Sequence, residues 1–262
     1  MGTGNEPKLK NLLRAWPAGM VATYPWLKKY GIYQELASKY LKSVWIERIG
    51  TGAFKKAGDI IDWPGVVYAL QQQLKMDLHI GSLWSLELRG FGHFARFENE
   101  ITLLGQPNTK LPSWCSDLQL PKVKLHYVTN KLFNKEHSVG LSHFEERGFG
   151  LIVSSPERAI MELLWQMPQK YGFDEAAYVM ENLISLRPKL VQSLLEYCTS
   201  VKTKRLFMYL ATECNHTWLK KISLDKVNFG SGIRQIDSGH TFNKTYQLYV
   251  PESHLSENKR HE

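Results

Sequence analysis

Apolar residues recur at helical spacing between residues 33 and 45 of the chain. Leu36, Ala37, Tyr40, Leu41 and Val44 stand at positions i, i+1, i+4, i+5 and i+8. This spacing predicts an amphipathic helix with one apolar face. The polar residues of the segment then lie on the opposite face.

A shorter helix is predicted immediately before this segment, over residues 24–30. Thr23 stands at its N-cap position, and Pro25 falls in the first turn, where the missing N–H of proline costs nothing. Gly31 can take the left-handed conformation that ends a helix. A tight turn therefore separates the two helices.

An alternating pattern follows the second helix. Residues 45–49 and 53–56 flank the sequence Gly50-Thr51-Gly52, which predicts a short hairpin with a flexible tip. Helix, turn, helix and hairpin succeed one another in the order of a winged helix-turn-helix. We therefore expect that fold near the N-terminus.

Later segments predict further helices and several strands. Asp62 and Pro64 open a helix over residues 63–75, and Ser82 opens another over residues 82–89. Ser155, Pro156 and Glu157 mark the start of a third. Strands are predicted at residues 101–104, 123–128, 151–153 and 246–250, and helices at residues 174–184, 188–198 and 202–213.

The length of 262 residues exceeds that of a typical single domain, so two domains are expected. The predicted fold class is α+β. A winged helix-turn-helix over residues 1–95 precedes a larger mixed α/β domain over residues 96–251. Residues 252–262 are predicted to form a disordered tail.

The charge of the chain is positive and unevenly distributed. There are 33 Lys and Arg against 25 Asp and Glu, a net charge of +8. Residues 1–95 hold twelve of these cations and seven of the anions, so this part is the more basic. Because excess positive charge attracts polyanions, nucleic acid is the first partner to consider.

Metal and disulfide chemistry are not indicated by the sequence. Cys115, Cys198 and Cys214 are widely spaced and form no C-x-x-C pair, which is typical of a reducing compartment. No two histidines fall at H-x-x-x-H spacing. His137 and His143 are near each other in the sequence only by coincidence, within a predicted loop. We expect neither a metal nor a cofactor.

Enzymatic motifs and membrane segments are not found either. The sequence contains no P-loop, no G-x-S-x-G and no strand-linked G-x-G-x-x-G. No stretch approaches the roughly eighteen apolar residues of a membrane span, and Arg14 and Pro17 interrupt the early apolar segment. We expect a non-enzymatic protein of the cytoplasm without a membrane anchor.

The polar face predicted for the second helix suits the major groove of DNA. Gln reads adenine through two hydrogen bonds, Lys reaches guanine or phosphate, and Ser bonds to either. Polar residues on the first helix and the hairpin suit the phosphate backbone or the minor groove. The alternative for each residue is an ordinary solvated surface. The candidate DNA-binding residues are Lys28, Lys29, Gln34, Ser38, Lys39, Lys42, Arg48, Thr51, Lys55 and Lys56.

A second basic cluster opens a predicted helix of the second domain. Lys202, Lys204 and Arg205 stand where the helix dipole disfavours cations. Such placement is tolerated where a phosphate group is bound, and the alternative is a solvated helix face. The sequence leaves both interpretations open.

Short motifs in a fixed order mark nearly the whole chain. They are Trp26–Ile32, Leu36–Trp45, Ile49–Phe54, His79–Ser82, Leu86–Leu88, Ser155–Ala159, Leu186–Pro188, Val201–Leu206 and Gly230–Gly232. Together they resemble the AbiEi-type antitoxins of abortive-infection toxin–antitoxin systems. This chain departs from the usual pattern at Val44, where many members have Gly, and at Tyr33, where Ser or Thr is the usual cap.

The resemblance implies a repressor of its own type IV toxin–antitoxin operon that takes part in phage defence. Its winged helix would bind inverted repeats in double-stranded promoter DNA. Its C-terminal domain would counter a nucleotidyltransferase-type toxin without forming a stable complex. Lys202, Lys204 and Arg205 then become candidates for antitoxicity.

Two other functions remain open at this point. One is a winged-helix transcription factor whose second domain senses a ligand or a protein and has no toxin partner. The other is a nuclease-like enzyme, which would need clustered carboxylates that the sequence does not show.

Overall fold

The computed structural model describes residues 6–92, 99–118, 120, 123–133 and 138–252, and its mixed content of helices and strands confirms the α+β fold class. The helices are α1 (Glu6–Ala15), α2 (Tyr24–Lys29), α3 (Gln34–Lys42), α4 (Trp63–Tyr68), α5 (Ser82–Glu87), α6 (Trp114–Asp117), α7 (Pro156–Trp165), α8 (Phe173–Asn182), α9 (Pro188–Tyr197) and α10 (Val201–Glu213). The strands are β1 (Ala22–Thr23), β2 (Ile46–Gly50), β3 (Ala53–Lys56), β4 (Leu78–Ile80), β5 (Asn99–Gly105), β6 (Val123–Thr129), β7 (Leu141–Glu146), β8 (Phe149–Ser154), β9 (Arg234–Gln235), β10 (Thr241–Asn243) and β11 (Leu248–Val250). All but the first residue of the predicted tail lie outside the described residues.

The chain folds into two compact units, each built from several segments. The first unit comprises residues 1–79, 97–129 and 143–152, and the second comprises residues 80–96, 130–142 and 153–262. The chain therefore leaves the first unit and returns to it twice. The expected domain boundary between residues 95 and 96 divides the sequence into two continuous parts, and it stays a prediction.

The N-terminal part of the first unit contains the predicted succession of helix, turn, helix and hairpin. Gly31 lies in the turn between α2 and α3 and has a left-handed φ of +71°. β2 pairs antiparallel with β3, so that Arg48 lies opposite Phe54, and β1 adds a third strand on the other side of β3. This arrangement is consistent with the predicted winged helix-turn-helix.

Gln73 holds β1 in place from a π-helical turn at Ala69–Gln73. Its buried side-chain oxygen accepts hydrogen bonds from the backbone N–H of Thr23 at 2.8 Å and from the hydroxyl of Thr23 at 2.9 Å. Its amide nitrogen donates to the carbonyl of Val21 at 2.8 Å. Thr23 is the N-cap residue of α2, as predicted, but its side chain makes no cap hydrogen bond, and its hydroxyl donates to Gln73.

A five-stranded sheet has the strand order β6-β5-β4-β8-β7, with most of its residues in the first unit. Gln71, on the same π-helical turn, donates to the carbonyl of Ile152 in β8 and accepts from its N–H, both at 2.9 Å. β5 and β6 pair in parallel along seven residues. The pattern did not predict β7, none of whose side chains is fully buried.

The C-terminal end of α3 differs from its prediction. The helix ends at Lys42, Ser43 is the C-cap residue, and Val44 adopts a left-handed φ of +55° with 65% of its surface exposed. Val44 therefore does not belong to the apolar face of the helix. Ala37 and Tyr40 of that face are buried, as predicted.

Helices α7 to α10 build the core of the second unit. Ile160, Leu163 and Leu164 on α7 are fully buried and belong to a continuous cluster with apolar residues of α5, α8, α9, α10 and β11. α8, α9 and α10 lie within two residues of their predicted bounds. The short strands β9 and β10, which flank β11 in a three-stranded sheet, were not predicted.

A buried carboxylate fixes the backbone around α7. Glu162 has no exposed surface and accepts hydrogen bonds from the guanidinium of Arg158 at 2.7 Å and the hydroxyl of Ser154 at 2.8 Å. It also accepts from the backbone N–H of Ser82 at 3.2 Å. Ser82 opens α5 with a left-handed φ of +52°, a conformation that few residues other than Gly adopt. The carboxylate thus satisfies the N–H at a strained position.

A second buried carboxylate joins the start of α7 to the start of α9. Glu157 accepts two hydrogen bonds from the guanidinium of Arg187, at 2.9 and 3.0 Å, and one from its backbone N–H at 2.9 Å. Burial opposes ionisation of Glu157, but these hydrogen bonds outweigh it, so the pKa of Glu157 lies below its ordinary value.

We expect that replacing Val44 with Gly stabilises the fold. A left-handed φ is strained for a β-branched residue and free for Gly, and the exposed side chain contributes little burial. The free energy of unfolding, measured by chemical denaturation, should rise by about 1 kcal/mol. Ser43→Gly is the matched control, because Ser43 has an ordinary φ of −87°. A gain in stability in both variants, or in neither, would contradict this account.

Arg187→Gln should destabilise the chain in a pH-dependent manner. The variant leaves Glu157 buried with fewer hydrogen-bond donors, so we expect the free energy of unfolding to fall by about 1–2 kcal/mol at neutral pH. Because the folded pKa of Glu157 is below 4.5, the stability due to Arg187 is present above that pH and is lost as the pH falls through the folded pKa. Denaturation curves of the two proteins should therefore converge in acid. A deficit of equal size at every pH, or an equal deficit for the exposed control Lys189→Gln, would argue against it.

Candidate nucleic-acid interface

The polar face of α3 is exposed, as the helical spacing requires. Gln34, Ser38, Lys39 and Lys42 are all on the surface. The hydroxyl of Ser38 donates to the carbonyl of Gln34 at 2.8 Å, which leaves its oxygen able to accept a hydrogen bond from a ligand. Within the described residues, neither lysine forms an ion pair. The face therefore presents two cations, an amide and a hydroxyl to a partner.

The last turn of α2 adds two more exposed cations, Lys28 and Lys29. The ammonium of Lys28 lies 4.9 Å from the centroid of the Tyr24 ring, a distance at which the ring attracts a cation. Positive charge at this end of a helix is also favoured by the helix dipole. Both lysines are thus tolerated without a carboxylate partner in the part of the chain that the structure describes.

The hairpin contributes an exposed arginine and an exposed threonine. The guanidinium of Arg48 lies 5.8 Å from the centroid of the Phe54 ring on the paired strand. Thr51 stands at the hairpin tip beside Gly52. These two residues are available to a ligand, whereas Lys55 and Lys56 of the hairpin are less accessible.

Lys55 and Lys56 are half-buried and have partners inside the fold. Lys55 pairs with Glu47 at 3.1 Å and donates to the carbonyl of Asp59 at 3.0 Å. Lys56 donates to the carbonyl of Trp16 at 2.7 Å. A contact of either lysine with DNA stays a prediction, and it would have to compete with these bonds.

A groove of about 250 Å³ lies between the two helices and the hairpin. It brings residues from separate elements to one surface: the amide of Gln34, the hydroxyl of Ser38 and the guanidinium of Arg48. The groove is lined by Tyr24, Gln34, Ala37, Ser38, Leu41, Arg48, Gly52 and Phe54. Polar residues of α3 and of the hairpin therefore line one concave surface.

Trp114 supports the hairpin from a part of the chain beyond residue 95. Trp114 is buried, and a side chain at Gly50 would place its Cβ 2.5 Å from the Cβ of Trp114. Only Gly allows this close approach of β2 to α6. The sequence pattern did not predict this contact, because a single Trp in a Pro-bearing loop has no periodicity that assigns it to the hairpin.

The basic cluster of the second unit is largely buried. Lys204 and Arg205 are 5% and 3% exposed, and Lys202 donates to the carbonyl of Met167. Burial lowers the pKa of all three. The solvated face considered as an alternative is therefore wrong for Lys204 and Arg205.

The described residues offer no group of three or more His, Cys, Asp and Glu arranged to hold a metal ion. His137 of the pair considered above lies outside them. Burial raises the pKa of Cys115 to about 12 and that of Cys198 to about 11, so neither thiol is activated as a nucleophile. Among the described helices, none combines the length and the apolar composition needed to cross a membrane.

The fold is similar to that of a solved bacterial protein. The crystal structure of the RV2827C protein from Mycobacterium tuberculosis aligns with a TM-score of 0.60 and 14% sequence identity, over 92% of this chain and 88% of that chain. At this identity the similarity concerns the fold alone. No curated protein matches the chain significantly.

Two family models match consecutive parts of the sequence. Residues 5–97 match the N-terminal domain of the transcriptional regulator AbiEi antitoxin, and residues 98–251 match the transcriptional regulator, AbiEi antitoxin, of type IV toxin–antitoxin systems. Together they cover nearly the whole chain and confirm the resemblance of its motifs. The chain belongs to the AbiEi antitoxin family of transcriptional regulators of type IV toxin–antitoxin systems.

Proposed function

We propose that this chain represses its own operon by binding promoter DNA through α2, α3 and the hairpin. The observation that carries the proposal is the exposed cation set of these elements, which forms no ion pair within the described residues. The set consists of Lys28, Lys29, Lys39, Lys42 and Arg48. Cations in such a position release the counterions of a nucleic acid on binding, and this release drives association.

Residues of α3 that line the groove of the protein can recognise the base sequence of the DNA. α3 has the diameter that the major groove of B-DNA admits, and Gln34 in its first turn carries an amide that matches the edge of adenine. Lys39 and Lys42 reach guanine or phosphate, and Arg48 and Thr51 reach the backbone or the minor groove. Operator recognition would then combine base contacts of α3 with backbone contacts of the hairpin.

The second half of the proposal is that the C-terminal domain counters a nucleotidyltransferase-type toxin. Its support is the match of residues 98–251 to an antitoxin family. We propose that neutralisation requires no stable complex and no catalytic step by this chain. Lys202, Lys204 and Arg205 remain the proposed antitoxicity residues, and the burial of the last two implies that they act by shaping the surface above them.

The Lys39→Ala, Lys42→Ala double variant should lose specific operator binding. Wild-type binding to its own promoter should show a slope of log affinity against log salt of roughly −4 to −5, one contribution for each exposed cation. The residual binding of the variant should have a slope shallower by about 2. Gel shifts and fluorescence anisotropy at several salt concentrations measure both quantities, and circular dichroism should show an unchanged fold.

The matched control is the Lys220→Ala, Lys221→Ala variant, which removes the same charge from two exposed residues of the second unit. It should retain operator affinity and slope. Unchanged binding by the α3 variant, or equal losses in both variants, would refute the assignment to α3.

Co-expression with the product of the neighbouring toxin gene tests the second half. The wild-type chain should restore growth, because the family match places it in a toxin–antitoxin system. The rescue should survive Lys39→Ala with Lys42→Ala when both genes are driven by a heterologous promoter. Failure of the wild-type chain to rescue would refute antitoxicity, whereas loss of rescue in the variant alone would refute the separation of the two activities.

A further inference from the structure

Helix α1 carries one of its lysines to the turn between α2 and α3. Lys8, Leu12 and Trp16 stand four residues apart, so they share one face of α1. Leu12 and Trp16 are buried, and the Trp16 ring meets the ring of Trp26 on α2 edge-on, with 5.4 Å between the two centroids. This face therefore packs against α2, and Lys8 lies one helical turn beyond its buried residues.

The side chain of Lys8 lies alongside Gly31 in this turn. Its Cε and Nζ atoms are each 3.7 Å, and its Cδ atom 4.0 Å, from the position that a Cβ at Gly31 would take. Lys8 is nevertheless exposed, so its aliphatic stem covers the turn while the ammonium stays in contact with solvent. The charge is thus held beside the turn, three residues before α3 begins at Gln34.

The ammonium of Lys8 does not serve as a cap for the end of α2. The carbonyl of Leu27 accepts a hydrogen bond from the backbone N–H of Ile32 at 3.1 Å. The carbonyl of Lys28 accepts one from the N–H of Gly31 at 3.0 Å. Within the described residues, the ammonium of Lys8 donates no hydrogen bond and forms no ion pair. A positioned cation is therefore left for a partner outside the chain.

Lys8 adds a cation from a different helix to an end of α2 that is already basic. The exposed Lys28 and Lys29 form the last turn of α2, directly before the turn that Lys8 covers. Glu35 in the first turn of α3 forms no ion pair with these lysines in the part of the chain that the structure describes. A polyanion suits such a surface, because each lysine can meet a different charge along it.

We propose that α1 is a further DNA-binding element of this chain, with Lys8 bound to a backbone phosphate at the edge of the major groove that α3 enters. The inference rests on the proposed function, since it requires α3 to dock in that groove. In helix-turn-helix proteins the start of the recognition helix meets base edges and the preceding helix crosses the backbone. A cation beside the intervening turn therefore faces the phosphates. Phosphate contacts fix the register of the protein on the duplex, so Lys8 positions the first turn of α3.

Operator binding by Lys8→Met tests the proposal, because methionine keeps an unbranched apolar stem beside Gly31 and removes the charge. We expect the affinity for the operator to fall about fivefold at ~0.15 M salt, and the slope of log affinity against log salt to become shallower by about 1. The affinity for a duplex of unrelated sequence should fall by the same factor, because a phosphate contact does not read bases. Fluorescence anisotropy of the full chain at several salt concentrations measures these quantities.

Lys10→Met is the matched control, because Lys10 is also exposed on α1 but lies about 200° around the helix from Lys8. It should keep the affinity and the slope of the wild type, and so should Lys8→Arg, which keeps the charge. The melting temperature of Lys8→Met should equal that of the wild type. Equal losses of affinity in Lys8→Met and Lys10→Met would overturn the proposal, since net charge alone would then explain them.

Operator duplexes with one neutral methylphosphonate each identify the phosphate that Lys8 binds. At one position at least, the wild-type chain should bind as weakly as Lys8→Met binds the unmodified operator, and Lys8→Met should lose no further affinity there. The proposal is overturned if Lys8→Met binds the operator like the wild type, or if every position weakens the two chains by the same factor. Either result leaves the proposed function intact, provided that Lys39→Ala with Lys42→Ala still abolishes specific binding. Absence of operator binding by the wild-type chain would overturn both.

Discussion

The side-chain amide of Gln73 fixes the two-residue strand on which the candidate DNA-binding surface depends. Two hydrogen bonds from Thr23 and one to Val21 hold β1, and α2 begins at the next residue. β1 also pairs with β3, so the same three bonds position one strand of the hairpin. A strand this short has few ladder hydrogen bonds of its own, and a buried glutamine supplies the rest. One buried polar residue thus holds the strand that leads into α2 and pairs with the hairpin.

Buried polar side chains have a similar role elsewhere in each unit. Gln71 holds β8 in the first unit, and Glu162 holds the strained start of α5 in the second. Each binds backbone groups that regular secondary structure leaves without partners. Arg205 differs from these, because its buried charge is met by carbonyl dipoles and not by a carboxylate.

Local patterns predicted most of the elements that carry the candidate interface. The apolar spacing around Ala37 and Tyr40 placed α3 and its exposed lysines, and the Gly-Thr-Gly sequence placed the hairpin tip. The contributions of Trp114 and Gln73 were not predictable in this way. Both act on residues more than forty positions away, and such contacts leave no periodicity in the sequence. The strand β7 was missed for a related reason, since its half-buried side chains show only weak alternation.

The sequence by itself determined the fold class, the exposed cations of α3 and the motifs by which the family was recognised. These properties follow from spacing along a helix and from residue identity, which need no distant contact. The tertiary structure alone decided which of the positively charged side chains remain available to bind a ligand. Lys55, Lys56 and Arg205 look like surface charges in the sequence, yet their partners are Glu47, two carbonyls and the Gly230–Gly232 turn. A side chain becomes a binding group or a structural one according to what the rest of the chain packs against it, because burial and pairing arise only when distant segments meet.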